Sequence, residues 1–211
     1  MSDQLVIVGA GGLGRILHDW LSRDAALRQR ADIVGFLDTR PDPALPPGLD
    51  CPLLGNPLDY QIQPGQLFVS AVGAPALRKQ LLDPLQAQGA AFLRYVERAI
   101  VGARTELGEG VFMMPGVEVG TDSRIDAFAF LDTATLIGHD VVIGSHCMIG
   151  AMSFVAGGVH IGDSVTVHPR AVIAKGVHIG AGATIGIGSV VVKDVPPDVT
   201  VFGNPARIIS T

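Results

Sequence analysis

From Val101 to Val191 every sixth residue is a medium-sized apolar side chain: Val101, Leu107, Met113, Val119, Ile125, Leu131, Ile137, Ile143, Ile149, Val155, Ile161, Val167, Ile173, Ile179, Ile185 and Val191. Sixteen consecutive hexads keep the rule. A period of six matches neither the 3.6 of an α-helix nor the 2 of a half-buried strand. It is the spacing of a triangular coil of short parallel strands, one inward aliphatic on each side and a tight corner after it. The next residue is often glycine, as at Gly102, Gly120, Gly138, Gly150 and Gly180, and the fifth position is small or β-branched. Glycine at a corner is expected to supply backbone angles that other residues resist. Three hexads make one coil, so residues eighteen apart stack. At a strand spacing of about 4.8 Å, five coils give a prism roughly 25 Å tall. The period ends at Pro196-Pro197.

The first half follows a different grammar. Leu5 to Val8 is a continuous apolar run, as in a buried parallel strand. It leads into Gly9-Ala10-Gly11-Gly12-Leu13-Gly14, after which Leu13, Ile16, Leu17, Trp20 and Leu21 recur at helical spacing. Ile33 to Leu37 reads as a second strand closed by Asp38, and a Pro-rich loop follows. Leu67 to Val72 reads as a third strand ending at Gly73. A helix is expected over Ala76 to Gln88, delayed by Pro75 and interrupted near Pro84, then a strand over Phe92 to Val96. Strand–helix–strand with a glycine-rich first turn predicts a small Rossmann-like sheet. The domains are expected at 1–98 and 99–211.

Composition narrows the function. The net charge is −5 with no Lys/Arg run, which argues against a nucleic-acid surface. Two cysteines, Cys51 and Cys147, give no disulfide framework and point to a reducing, cytoplasmic setting. The first residues make a poor signal peptide, and no apolar run is long enough to span a bilayer.

The hexads resemble the left-handed parallel β-helix of the hexapeptide-repeat acyltransferases. The whole chain resembles, more specifically, the sialic-acid O-acetyltransferase and nucleotide-amino-sugar N-acetyltransferase family, with the bacillosamine and perosamine enzymes. The match is carried by Gly9 to Gly14, Gly35-Phe36-Leu37-Asp38, Ala71-Val72-Gly73 with Arg78, Ile137-Gly138-His139-Asp140-Val141-Val142-Ile143-Gly144, and the tail Val201 to Arg207. The handedness is implied by this resemblance, since the general rule for parallel crossovers is right-handed.

His139 is the candidate catalytic base. Acetyl transfer to an amine needs a group that takes a proton as nitrogen attacks, and imidazole titrates near neutrality. Asp140 follows directly and is placed to hold its tautomer. The competing reading is a surface histidine on a solvated corner. His160 and His178, eighteen apart, are expected to stack. They do not make a metal site, because zinc needs three or four converging ligands and no His pair lies five apart as in the hexapeptide-repeat carbonic anhydrases.

The resemblance implies further roles. Acetyl-CoA is the co-substrate, without a metal, in a cleft between neighbouring prisms of a homotrimer. Met148, Gly157, Pro169 and Ile187 match its contacts, and a backbone amide near Gly157 is placed to stabilise an oxyanion. Met148 stands where the family has a second histidine, and His146 is the alternative for that contact. Gly11, Gly12 and Leu13 match nucleotide-sugar contacts, where amides at a helix start can receive phosphate or sugar oxygens. Asp38 and Thr39 match the positions that hold the nucleoside, with Asp38 accepting from base or ribose, and Gly73 closes the pocket. Leu13 and Ala74-Pro75 depart from the family's usual His and Asp/Asn. Phe112, Phe128, Phe130 and Phe154 are expected outward, forming the trimer contact. The reading is an N-acetyltransferase on a nucleotide-linked amino sugar, with neither nucleic acid nor membrane as partner. Its rivals are an O-acetyltransferase of sialic acid or another hydroxylated acceptor, and a non-catalytic nucleotide-sugar-binding protein. An NAD-dependent oxidoreductase would need a catalytic domain beyond the repeat.

Overall fold

A computed structural model describes residues 2–210 and divides the chain into two compact units, one up to Leu93 and one from Arg94. In the first, β1 (Asp3–Val8), α1 (Gly12–Arg23), α2 (Ala25–Arg28), β2 (Ala31–Leu37), β3 (Leu53–Gly55), β4 (Gln66–Ser70), α3 (Pro75–Ala87) and β5 (Ala91–Phe92) follow in order. The strands form one parallel sheet in the order β3-β2-β1-β4-β5. Leu5, Val6, Ile7, Val8, Phe36, Leu37 and Phe68 are fully buried in it. The chain order reverses at β1, so the ends of β1, β2 and β4 open onto a crevice of the kind that takes ligands in doubly wound sheets.

The glycine turn after β1 is sterically specified. Gly9 has φ +107°, a conformation that side chains resist, and a methyl on Gly14 would collide with the Gly9 carbonyl oxygen. Those two glycines let α1 fold back tightly onto the sheet.

Several boundaries move from expectation. The third predicted strand stops at Ser70, because β1 ends at Val8 and only Ala71 N still finds an acceptor there, the Val8 carbonyl at 2.8 Å. Residues 71–73 are thereby released as pocket wall. The β3 strand was not expected; it follows the Pro-rich loop and pairs Leu53 with Phe36, while Gly35 makes room for Leu54. Pro75 starts α3 rather than delaying it, since a first-turn residue needs no helical N–H. The helix runs through Pro84, held by buried Leu81, Leu82 and Leu85. The expected strand over Phe92 to Val96 shrinks to Ala91–Phe92, followed by a single bridge from Tyr95 to Phe112.

The second unit is a left-handed parallel β-helix. From Ile100 to Val191 every ladder joins residues eighteen apart, as in Arg124↔Val142, Phe130↔Met148 and Leu136↔Phe154, and the last parallel pair, Thr184↔Thr200, is sixteen apart. Three faces result. The first carries Ile100, Glu118, Leu136, Phe154, Val172 and Val190 outward; the second carries Glu106, Arg124, Val142, His160 and His178; the third carries Phe112, Phe130, Met148, Thr166 and Thr184 and ends in a C-terminal hairpin. From Met113 to Val191 the hexad series is buried throughout, as are the fifth positions from Val111 to Val195. Each side thus sends two side chains inward, and they form one continuous core.

The expected reason for the corner glycines was wrong. Gly102, Gly120, Gly138 and Gly150 do not take positive φ; a methyl on any of them would come within 2.7 Å of the next coil's backbone. They are small because coils stack closely. The left-handed conformation falls two residues later and is mostly borne by other residues, including Arg104, Asp122, Asp140, His146 and Ser164.

Three of the four phenylalanines expected at a subunit contact are covered within the chain. Phe112 and Phe130 stack at 5.4 Å with Tyr95 capping Phe112 at 4.9 Å, and Phe128 lies on His146 at 5.0 Å. Only Phe154 is exposed. Cys51 and Cys147 are buried and are not joined in a disulfide. Among the described residues no helix is long and apolar enough to cross a membrane.

Because the inward aliphatics have neighbours on every side, Ile149→Ala should lower stability by about 2–5 kcal/mol. Ile16→Ala, on the exposed flank of α1, should change it by no more than about 0.5 kcal/mol. Denaturant unfolding followed by circular dichroism measures both; equal effects would contradict the packing described.

Candidate active site

His139 sits on the turn joining the first face to the second, directly after Leu136–Ile137. Its Nδ1 is 2.6 Å from Oδ2 of Asp140, and more than half of each side chain is exposed. With the carboxylate ionised, Nδ1 carries the hydrogen and donates it, which leaves the Nε2 lone pair as an acceptor. That nitrogen lies over Gly157, the residue one coil on. A methyl on Gly157 would come to 2.7 Å from Nε2 and 2.9 Å from Cε1. The ring can occupy its position only because Gly157 has no side chain. Gly158 N donates to the His139 carbonyl at 2.9 Å and ties the two turns together.

Beyond His139 the edge carries Gly157 and Gly158 in the next coil, then exposed Lys175 and Gly176 in the one after. A methyl on Gly158 would meet nothing closer than 4.0 Å, and one on Gly176 nothing within 4 Å. This leaves a gap of one coil beside Nε2, between His139 and Lys175, with room for a slender flexible chain such as an acyl-carrying arm. One coil before, Asp122 is engaged elsewhere. Arg104 donates to it through Nε and Nη2 at 2.5 and 2.6 Å, and this pairing holds its carboxyl below the usual range. Asp140 is therefore the carboxylate that serves the imidazole.

The other coil residues separate by edge. Pro169 and Ile187 stack one coil apart on the turn joining the third face to the first; Gly188 N donates to the Pro169 carbonyl at 3.0 Å, and Ile187 is 59% exposed. Met148 is half-buried on the third face between Phe130 and Thr166. Within one chain, Gly157 is thus beside His139, whereas Pro169 and Ile187 border the opposite edge of the first face. Between those edges lie exposed Leu136, Phe154 and Val172. His146 is on the edge between the second and third faces, buried against Phe128, so it does not serve His139's edge. His160 and His178 stack at 4.9 Å on the second face, in a hollow of about 700 Å³ with Arg124, Asp163 and Asp194. Among the described residues no group of three or more potential metal ligands occurs.

In the first unit the predicted residues converge. Gly11, Gly12, Leu13, Asp38, Thr39 and Gly73 all line one pocket of about 440 Å³ at the ends of β1, β2 and β4. Gly11 precedes α1, whose first amides have no helical acceptor. Arg78 was noted in the sequence only as part of a signature. It is buried, with Nε donating to the Val72 carbonyl at 2.7 Å and Nη2 to the Gly73 carbonyl at 3.3 Å, so α3 fastens the wall.

Asp38 does not present a free acceptor. Oδ1 accepts from Arg40 N at 3.0 Å and Arg40 Nε at 2.8 Å; Oδ2 accepts from Ala10 N at 2.8 Å and Arg40 Nη2 at 2.7 Å. Its expected role of accepting from base or ribose is corrected here, because a carboxylate offers about four acceptor positions and all are taken. Arg40 escaped the sequence reading. Its place two residues after Asp38, at the end of a parallel strand, was the available signal.

Comparison with known proteins now adds to this geometry. The model described as the PglD N-terminal domain matches residues 4–85, and that described as the hexapeptide repeat of succinyl-transferase matches residues 140–168. Comparison with curated protein sequences gives no match. Among solved structures, the chain is similar to PerB from Caulobacter crescentus in complex with CoA and GDP-perosamine. Identity is 32%, coverage 97% of this chain and 96% of that one, and the TM-score 0.84. A histidine-to-asparagine mutant of perosamine N-acetyltransferase from the same organism, also with CoA and GDP-perosamine, matches at 29% identity over 99% and 97%, with a TM-score of 0.88. The acetyltransferase domain of PglB from Neisseria gonorrhoeae matches at 26% identity over 99% and 100%, with a TM-score of 0.87.

The Asp38 clamp has a pH signature. The Arg40 hydrogen bond, foremost, holds its carboxyl down at about 2 against an ordinary 3.8. A depressed folded-state value adds stability above about 3.8 that is lost as pH falls toward 2. Wild type should therefore be more stable than Asp38→Asn at pH 6, with the gap narrowing between pH 4 and 2. A gap that stays constant in thermal melts across that range would contradict the clamp.

Proposed function

This chain belongs to the hexapeptide-repeat acetyltransferases that carry a PglD-type N-terminal domain, and on that footing we propose that it transfers acetyl from acetyl-CoA to the amine of a nucleotide-linked sugar. The observation that carries this reading is the His139–Asp140 pair, with Nε2 over Gly157 where the coil edge has no side chain at 157 or 158. Among the neighbours that match both halves of the chain are perosamine N-acetyltransferase and PerB, each in complex with CoA and GDP-perosamine.

Each group has a task. The first unit binds the nucleotide-sugar through Gly11, Gly12, Leu13, Thr39 and Gly73. In the second, the sugar nitrogen attacks the thioester carbonyl carbon while Nε2 of His139 takes the N–H proton. Asp140 keeps Nδ1 protonated and stabilises the imidazolium. The carbon–sulfur bond then breaks, and the imidazolium returns the proton to sulfur, releasing CoA as the thiol. An amide near Gly157 supports the oxyanion. No covalent enzyme intermediate is needed. A base of this kind contributes about 10²–10⁴ in rate.

The working unit in this proposal is a homotrimer. Two features of the coil support it. Leu136, Phe154 and Val172 form an exposed apolar strip on the first face. His139 with Gly157 and Pro169 with Ile187 lie on the two edges bordering that strip. A neighbouring copy seated there supplies Pro169 and Ile187 to the first copy's His139, which closes a cleft around the pantetheine arm. Met148 lines that cleft from the third face.

An acceptor panel tests the reaction. UDP-, GDP-, dTDP- and CMP-linked amino sugars, with the matching hydroxy sugars and free sialic acid, are incubated with acetyl-CoA and followed by free-thiol release. At least one nucleotide-linked amino sugar should release thiol while its hydroxy counterpart does not. Release with hydroxyl acceptors alone would favour O-acetylation; release with none would favour a binding protein.

A further inference from the structure

We propose that Arg40 reads the diphosphate of the nucleotide-sugar, held for that purpose by Asp38. The inference rests on the reading of the first unit's pocket as a nucleotide-sugar site and assigns it a residue and a chemistry.

Asp38 and Arg40 are the only charged residues among those lining this pocket. Both oxygens of Asp38 are filled by four N–H groups, three of them from Arg40. The carboxylate has nothing left with which to accept from a ligand. The guanidinium does. It carries five N–H donors in one plane, and only one from Nε and one from Nη2 are directed at Asp38. Three donors remain on the Nη1 and Nη2 end, and half of the side chain is exposed. The pocket thus offers donors and positive charge, which selects an anion or an acceptor-rich ligand.

Position decides which part of the ligand. A methyl on Gly11 would lie 4.0 Å from Arg40 Nη2, so the guanidinium stands over the residue that precedes α1. The first-turn amides of α1 point into the same space and favour negative charge. A methyl on Gly12 would have nothing within 4 Å, so the approach is open. A fork of coplanar donors matches phosphate oxygens, and Arg–phosphate contacts of this kind are often bidentate. The Asp38 contacts also fix the guanidinium before the ligand arrives, which reduces the ordering cost of binding. Asp38 acts here as a positioning residue, and Arg40 as the contact.

Ligand-observed NMR and calorimetry on the full chain test the assignment, with UDP, GDP and dTDP as probes beside uridine, guanosine and thymidine. Arg40→Gln should weaken the preferred nucleoside diphosphate by about ten- to hundredfold, the range for hydrogen bonds to charged groups. It should leave the matching nucleoside within about threefold and the KM for acetyl-CoA unchanged. Arg40→Lys, which keeps the charge and loses the fork, should fall between. If Arg40→Gln binds the diphosphate as tightly as wild type, or loses diphosphate and nucleoside equally, the inference fails while the pocket reading stands. If wild type binds none of the six probes, both fail.

Discussion

Coil-on-coil stacking every eighteen residues is the constraint from which the chemistry of the second unit follows. Each inward aliphatic fixes the height of its strand, and the ladder fixes what lies above and below every corner. His139 therefore has Thr121 and Gly157 as its stacked neighbours by construction. A side chain at residue 157 would occupy the space of the imidazole. The core and the candidate base are thus linked by register. An insertion of one residue between His139 and Ala156 would bring the Ala156 side chain beneath the ring in place of Gly157.

The two units handle charge in opposite ways. On the coil edge a carboxylate serves an exposed imidazole: Asp140 sets the tautomer, and the other ring nitrogen stands over Gly157. In the first unit a nearly buried carboxylate is spent on architecture: Asp38 secures the glycine turn through Ala10 N and orients Arg40. The same residue type gives a base-supporting group in one place and a clamp in the other. Hydrogen-bond donors at hand, rather than identity, make the difference.

Much of this was legible in the sequence. The hexad period implied the triangular core and the stacking of His160 on His178, and the strand–helix alternation implied the parallel sheet. Gly11, Gly12, Leu13, Asp38, Thr39 and Gly73 were grouped correctly into one pocket. What was missed depends on side-chain geometry in three dimensions. Periodicity places Phe112 and Phe130 outward, but it does not reveal that Tyr95 comes back to stack on them. A glycine in a turn suggests unusual φ, yet at Gly138 and its equivalents the requirement is closeness to the next coil. Asp38 reads as a ligand-binding acid until the Arg40 side chain is seen to fill it. Pro75 and Pro84 read as breakers, although a first-turn position and a buried apolar face accommodate them.

The central claim is that Nε2 of His139 accepts the proton during acetyl transfer. Its most direct test is the turnover of His139→Ala on the best acceptor, with circular dichroism and light scattering confirming unchanged fold and assembly. The account predicts a fall of at least about a hundredfold in kcat. Turnover within a few-fold of wild type would contradict it.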